Sequence, residues 1–75
     1  MTIEKIVKGE VATLAVAGRL DTQSAPELEK EFDSIVAGLK ELTFDMNGLE
    51  YVSSAGLRVI LKAQKIMNTK GKFAP

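Results

Sequence analysis

The residues best placed to carry chemistry are two adjacent serines, Ser53 and Ser54, followed by the small residues Ala55 and Gly56. A serine at the start of a helix can cap it, or it can accept a phosphate. The free N–H groups and the positive dipole end of a helix N-terminus favour both roles. Spacing alone favours a cap at or next to Ser54. Phosphorylation of Ser54 is the functional alternative, and the residues by themselves leave it open.

Histidine and cysteine are both absent from the 75 residues. The chain therefore lacks the imidazole base of Ser-His-Asp and Cys-His catalysis, and it lacks nearly all zinc ligands. The position of Val52 would have to be glycine in a nucleophile elbow. A Walker A loop would need Lys-Ser or Lys-Thr after Gly56, and neither is present. We expect no enzymatic activity, no metal ion and no other cofactor.

Two further polar residues are expected beside the serines. Asp21 follows the second predicted strand, and Asn47 follows the third. Because the carboxyl ends of parallel strands gather at one edge of a sheet, Asp21, Asn47 and the serine pair should be neighbours. A nearby carboxylate would oppose a phosphate on Ser54 through like-charge repulsion, so phosphorylation would act as a local charge switch.

Hydrophobic patterning predicts an α/β fold. Strands are expected at residues 3–7, 11–17 and 42–46, helices near 25–37 and 55–69, and a fourth strand opening at 73–74. Gly9 turns the first two strands into a hairpin. The second strand is apolar at almost every position, which is typical of a central strand covered on both faces. The order β-β-α-β-α-(β) indicates a mixed sheet with right-handed crossovers.

Local signals mark where these elements begin and end. Ser24 and Glu27 have the spacing of a capping box, and Pro26 suits the first turn of the first helix. Gly38 is placed to end that helix. Asn47–Gly48 is a turn dipeptide that should end the third strand.

The second helix has a narrow polar stripe and a broad apolar remainder. The stripe is Arg58, Lys62, Lys65 and Thr69. So wide an apolar surface must be covered by something. Residues 1–50 hold five bases and ten acids, whereas residues 51–75 hold five bases and no acid. Because these bases form no arginine cluster and have no interleaved aromatics, they indicate a solvated helix face rather than a nucleic-acid site.

The segment from Phe44 to Leu61, FDMNGLEYVSSAGLRVIL, resembles the signature of STAS domains, the family of bacterial anti-sigma factor antagonists. GRLD at 18–21 and APEL at 25–28 resemble the second landmark of that family. The resemblance implies a STAS domain over residues 1–75, with a mixed sheet packed with helices. It also implies that 1–75 is the N-terminal portion of the family's fold and ends as the fourth strand begins.

The resemblance also implies a function and a site. Family members bind an anti-sigma factor that is a serine kinase, and so regulate sigma-factor-dependent transcription. The kinase phosphorylates a serine at the start of the second helix, and a metal-dependent phosphatase reverses this. By the motif, Ser54 matches the phosphoacceptor and Asp21 matches the acid of the neighbouring loop. Ser53 stands where the family commonly has aspartate, which makes it the less favoured acceptor.

The partner-binding surface is expected to consist of Asp21, Asn47, Ser53, Ser54 and Arg58. Arg58 could equally be a solvated helix residue. The alternative function is a STAS-like accessory module of a transporter or lipid-trafficking complex, in which the serines are structural. The same surface has no expected role in direct nucleic-acid binding.

Localisation and assembly can also be predicted. The longest uncharged stretch is eight residues, 11–18, whereas a membrane-spanning helix needs about 20. We therefore expect a cytoplasmic protein that is not inserted in a membrane. Leu61, Ile66, Met67 and a sheet edge should be uncovered in a chain of this length. Uncovered edges and apolar patches recruit partners, which predicts a homodimer or higher oligomer.

Overall fold

A β-hairpin opens the chain, and two strand–helix units follow it. The computed structural model describes the backbone of residues 1–74 and the side chains of residues 1–71. The elements are β1 Thr2–Lys8, β2 Val11–Leu20, α1 Ala25–Ile35, a 3₁₀ turn at Val36–Gly38, β3 Glu41–Val52, α2 Ser54–Lys70 and β4 Lys72–Ala74. The predicted order of elements is confirmed, and so is the fourth strand.

The described strands form a single sheet in the order β1-β2-β3-β4. β1 pairs antiparallel with β2, while β2 with β3 and β3 with β4 are parallel pairs. The predicted α/β fold with a mixed sheet is therefore confirmed. α1 connects β2 to β3, and α2 connects β3 to β4. No helix in the described part of the chain is long and apolar enough to cross a membrane.

The core lies between the sheet and the two helices. Alternate residues of the central strands point towards the helices, as the period of two requires. The fully buried large side chains are Leu14, Leu20, Leu28, Phe32, Leu42, Phe44 and Met67. β2 is central, as predicted, but only its helix-facing side is deeply buried. On its other face Thr13, Ala15 and Ala17 are half-buried.

The predicted end of the third strand is wrong. β3 does not stop at Met46 but runs to Val52, through two register shifts opposite Ala15/Ala17 and Gly18/Arg19. These irregularities are β-bulges, which let β3 carry extra residues against β2 without leaving the sheet. A Cβ at Gly48 would lie 2.8 Å from the Cβ of Ala17. Gly48 therefore permits close approach of two strands and does not turn the chain.

The first helix begins at Ala25 as predicted, but its predicted cap and its predicted end need correction. Ser24 occupies the N-cap position of α1, but its side chain makes no cap hydrogen bond. The capping box with Glu27 is wrong because the Ser24 hydroxyl is engaged in the preceding turn. α1 ends at Ile35, and the chain then tightens into the 3₁₀ turn that contains Gly38. This turn delivers Leu39 into the core at 2% exposure.

The second helix is covered less completely than its composition predicted. α2 packs on the sheet through Val59, Ala63 and Met67. Met67 is fully buried, so the expectation that it is uncovered is wrong. Leu57 and Leu61 lie on the outward side and are 51% and 48% exposed. The expectation that Leu61 is uncovered is confirmed, and Leu57, for which no such expectation was stated, is uncovered as well.

The basic stripe of α2 is not a purely solvated face. The Nζ atom of Lys62 lies 3.0 Å from Glu29 Oε2 and 3.2 Å from Asp33 Oδ1, both on α1. These two hydrogen-bonded carboxylates, Glu29 first, raise the pKa of the Lys62 ammonium. The acids of the first half of the chain thus meet a base of the second half. The pairing links the exposed sides of the two helices.

Gly56→Ala tests how α2 is seated. Gly56 is buried in the first turn of α2, and a Cβ there would lie 3.0 Å from the Leu20 carbonyl oxygen and still closer to the Leu20 side chain. We expect Gly56→Ala to lower the free energy of unfolding by about 1–3 kcal/mol, measured by urea denaturation. Gly38→Ala is the matched control, since a Cβ there meets nothing within 4 Å. Equal losses in the two variants would contradict this seating.

Candidate functional site

Two consecutive carbonyl groups at the end of β2 hold the beginnings of both helices. The backbone N–H of Ser53 donates to the Leu20 carbonyl oxygen at 2.8 Å, and that of Ala25 donates to the Asp21 carbonyl oxygen at 2.8 Å. The starts of α1 and α2 therefore meet at the carboxyl end of the central strand. We call this region, comprising Asp21, Ser53 and Ser54, the helix-start site.

Asp21 closes the turn that leads into α1. Its Oδ1 atom accepts hydrogen bonds from the backbone N–H groups of Gln23 and Ser24, both at 3.0 Å. The Ser24 hydroxyl accepts the Asp21 N–H at 2.9 Å and lies 2.8 Å from the Arg19 carbonyl oxygen and 3.1 Å from Asp21 Oδ1. The Ser24 backbone N–H, and then its hydroxyl, lower the pKa of the Asp21 carboxyl. Asp21 is thus a fixed negative charge.

The two serines have different structural roles. Ser53 is the N-cap of α2, with φ −85° and ψ 172°, and its Oγ atom accepts the Gly56 N–H at 3.3 Å. Ser54 is the first residue of α2 and is exposed. Within the described residues, the Ser54 hydroxyl makes no hydrogen bond. The prediction placed the cap at or next to Ser54, and the structure assigns it to Ser53.

The structure brings together most, but not all, of the predicted partner-binding residues. Arg58, one turn along α2 from Ser54, is exposed and lines a groove between the helices with Thr22 and Pro26. Asn47 is not part of this region. It lies within β3, five residues before Val52, which is about 16 Å along a strand. The expectation that Asn47 follows the strand and joins the site is wrong because β3 continues through its bulges.

Sequence reasoning predicted an exposed Leu61 but missed three other exposed apolar side chains around Ser54. Tyr51, Val52, Leu57 and Leu61 are 44%, 40%, 51% and 48% exposed, and we call them the apolar rim. Tyr51 and Val52 precede the serines, and Leu57 is one helical turn beyond Ser54. The sequence does contain a sign of this group, since the apolar pair Tyr51 and Val52 directly precedes the serines. The pair was not recognised as the end of a strand because the third strand was predicted to end at Met46.

An aromatic contact orders one side of the apolar rim. The Arg19 guanidinium lies over the Tyr51 ring, 4.4 Å from its centroid, and the two residues face each other in the β2–β3 register. Such cation–π contacts contribute about 0.5–1 kcal/mol at exposed sites. Because Leu20, the neighbour of Arg19, points into the core, alternation along the strand places Arg19 and Tyr51 on the face of the sheet away from the helices.

This arrangement is chemically suited to recognition. It offers an exposed hydroxyl, a fixed carboxylate, a helix N-terminus and an arginine, beside four apolar side chains. Among the described residues, no group of three carboxylates could hold a metal ion.

Comparison with known families identifies the class of protein. A sequence model described as "Mlab, STAS domain" matches residues 5–72. The chain belongs to the STAS domain family. A comparison with curated proteins found no match.

Solved structures show the same fold. An anti-sigma factor antagonist from Mycobacterium paratuberculosis matches with a TM-score of 0.85 and 25% identity, over 96% of this chain and 62% of that one. The Bacillus cell fate determinant SpoIIAA in its phosphorylated form matches with a TM-score of 0.79 and 13% identity, over 96% of this chain and 68% of that one. Unphosphorylated SpoIIAA, an anti-sigma factor antagonist, matches with a TM-score of 0.81 and 13% identity, over 96% of this chain and 66% of that one. The chain thus spans about two thirds of these relatives.

The separate roles of the two serines can be tested by alanine substitution. Ser53→Ala removes the side-chain acceptor of the Gly56 N–H and should lower the free energy of unfolding by about 0.5–2 kcal/mol. Ser54→Ala removes a solvated hydroxyl and should change it by less than about 0.5 kcal/mol. Urea denaturation of both variants measures the difference. A larger loss for Ser54→Ala would show that Ser54 is the cap.

The Asp21 carboxylate should make the free energy of unfolding depend on pH in the acidic range. Its folded-state pKa is lowered from 3.8, so its contribution is present above the unfolded pKa and is lost as pH falls through the folded value. Below about pH 4 the wild type should therefore lose stability more steeply than Asp21→Asn, which keeps an acceptor oxygen but cannot titrate. Urea titrations at a series of pH values measure this. Parallel curves for the two proteins would exclude a lowered pKa at Asp21.

Proposed function

We propose that this chain is an anti-sigma factor antagonist that binds an anti-sigma factor with serine kinase activity. In this proposal the kinase phosphorylates Ser54 and so ends the interaction, in the cytoplasm. A metal-dependent serine phosphatase restores binding. The observation that carries the proposal is that the Ser54 hydroxyl is exposed and makes no hydrogen bond to any described residue, while Ser53 supplies the cap. Two of the similar structures are of SpoIIAA, one in its phosphorylated and one in its unphosphorylated form.

The partner-binding surface in this proposal is the helix-start site, the apolar rim and Arg58. Interfaces draw most of their affinity from a few buried side chains, among which Trp, Tyr and Arg are enriched. Fully burying an exposed Leu or Val side chain contributes about 1.5–3 kcal/mol. Tyr51, Leu57 and Leu61 provide such anchors on both sides of Ser54. Asn47 lies outside this surface and is not included.

Phosphorylation would affect binding much more than folding. It adds a charge of about −1.5 to −2 and three acceptor oxygens. At the first residue of a helix the dipole favours that charge by about 0.3–1 kcal/mol. In an interface shaped for a hydroxyl the same charge must be desolvated, which is costly. The Asp21 carboxylate at the same end of the sheet adds like-charge repulsion.

A second candidate function uses the same fold but does not involve phosphorylation of Ser54. In an accessory module of a transporter or lipid-trafficking complex, the serines would be structural. The cap made by Ser53 is compatible with this alternative, because it gives one of the two serines a purely structural role. The two candidates differ in whether Ser54 is ever modified.

Substitutions at Ser54 separate the two candidates. Ser54→Asp should fold normally and fail to bind the cognate kinase, because it places a permanent charge in the interface. Ser54→Ala should bind but resist phosphorylation. Ser53→Ala is the matched control and should still be phosphorylated, on Ser54. Calorimetric titration with the kinase measures binding, and mass spectrometry after incubation with ATP locates the phosphate.

Two outcomes would change the proposal. Phosphate found on Ser53 alone would move the site by one residue and contradict the assignment to Ser54. Absence of phosphate on both serines, with a kinase that is active on another antagonist, would favour the accessory module.

A further inference from the structure

The outer edge of β1 is open in the described sheet. β1 pairs with β2 on one side, and no described strand lies on its other side. Ile6 and Val7 are 51% and 46% exposed. An edge strand of seven residues with apolar side chains is a template for pairing with another strand.

The charges on one face of β1 have no ion-pair partner among the side chains that the structure describes. Glu4, Ile6 and Lys8 alternate onto the face of the sheet that points away from the helices, opposite Ala15, Thr13 and Val11 of β2. Glu4 and Lys8 are four residues apart, about 13 Å along a strand, so they cannot pair with each other. Among the described residues, neither makes an ion pair.

We propose that two copies of this chain pair antiparallel through β1, with Ile6 opposite Ile6 of the second copy. A two-fold axis perpendicular to the sheet is needed to place two identical edges side by side in antiparallel orientation. Such an axis keeps each side chain on its own face. Residues of equal parity must therefore lie opposite one another, and only a few registers are possible.

Charge complementarity selects the register centred on Ile6. In that register Glu4 lies opposite Lys8 of the second copy, and symmetry repeats the pair on the other side of the axis. Opposite charges directly across a strand pair are favourable, and like charges are unfavourable. The central Ile6 pair also buries the most exposed apolar side chain of β1.

The neighbouring registers are less favourable. Centring on Lys5 or on Glu4 puts two like charges on the axis. Centring on Val7 sets Glu4 against Glu10 of the second copy and leaves Lys8 opposite Ile6. The Ile6 register also leaves undisturbed the 3.1 Å ion pair from Lys5 to Glu31 on α1.

The resulting dimer would have a continuous eight-stranded sheet with all its helices on one face. Ser54 and the apolar rim lie across β2 and β3 from β1, so each copy would keep its own helix-start site. The pairing does not depend on the function proposed for Ser54.

Charge reversal tests the register. By sedimentation equilibrium, the wild type should be a dimer at high concentration. Glu4→Lys alone or Lys8→Glu alone should weaken it about tenfold, because each creates two like-charge pairs. The double variant Glu4→Lys/Lys8→Glu should restore wild-type affinity. An equimolar mixture of the single variants should form a heterodimer in preference to either homodimer. Glu27→Lys on α1 makes the same charge change away from β1 and should leave the affinity unchanged.

Cross-linking tests the axis. The chain has no cysteine, so Ile6→Cys should be joined to its copy by oxidation or by a short bis-maleimide. Thr2→Cys is the control on the same face. In this register its two copies lie eight residues apart, about 26 Å, and should not cross-link.

Three results would overturn the proposal. The first is a wild type that is still monomeric at millimolar concentration. In that case the open edge of β1 would be a binding site for a strand of another protein. The second is a dimer that neither charge reversal weakens, which would place the interface elsewhere. The third is cross-linking of Thr2→Cys as efficient as that of Ile6→Cys.

Discussion

The hydrogen bond from the Ser53 N–H to the Leu20 carbonyl, 2.8 Å long, determines where α2 begins and how it meets the sheet. The carbonyl belongs to the central strand, so the helix is positioned by backbone atoms. Gly56 allows this approach, because a Cβ there would meet the backbone and side chain of Leu20. The next carbonyl, that of Asp21, holds Ala25 of α1. One short segment therefore fixes the relative positions of both helices.

This anchoring gives two adjacent residues different roles, a structural one for Ser53 and a proposed one in recognition for Ser54. Ser53 supplies the cap, whereas the Ser54 side chain is exposed and makes no hydrogen bond within the described part of the chain. The ion pairs from Lys62 join α2 to Glu29 and Asp33 of α1. Individually such exposed pairs contribute little to stability, about 0–1 kcal/mol. A charge added at Ser54 would change the surface and leave the cap intact.

Sequence reasoning predicted the elements whose periodicity is local and missed features that depend on distant contacts. The patterns of β2 and α2 have clear periods, and both elements are present. Asn47–Gly48 is locally a turn signal, but Gly48 is needed for its contact with Ala17, some thirty residues earlier. That contact is invisible in the local pattern, so the strand end and the placement of Asn47 were both wrong. The convergence of Asp21 with the serines followed from the parallel-strand rule. Ser53 is the cap because its backbone N–H is held by the Leu20 carbonyl. That contact is distant in sequence, so the two adjacent serines alone could not show which of them caps the helix.

Native-state hydrogen exchange at the start of α2 tests this account most directly. The first N–H groups of a helix have no intrahelical acceptor and exchange rapidly unless another group binds them. The Ser53 amide, held by Leu20, and the Gly56 amide, held by the Ser53 side chain, should exchange slowly. The Ser54 amide should exchange much faster. A Ser53 amide that exchanges as fast as that of Ser54 would contradict the anchoring on which the assignment of the two serines depends.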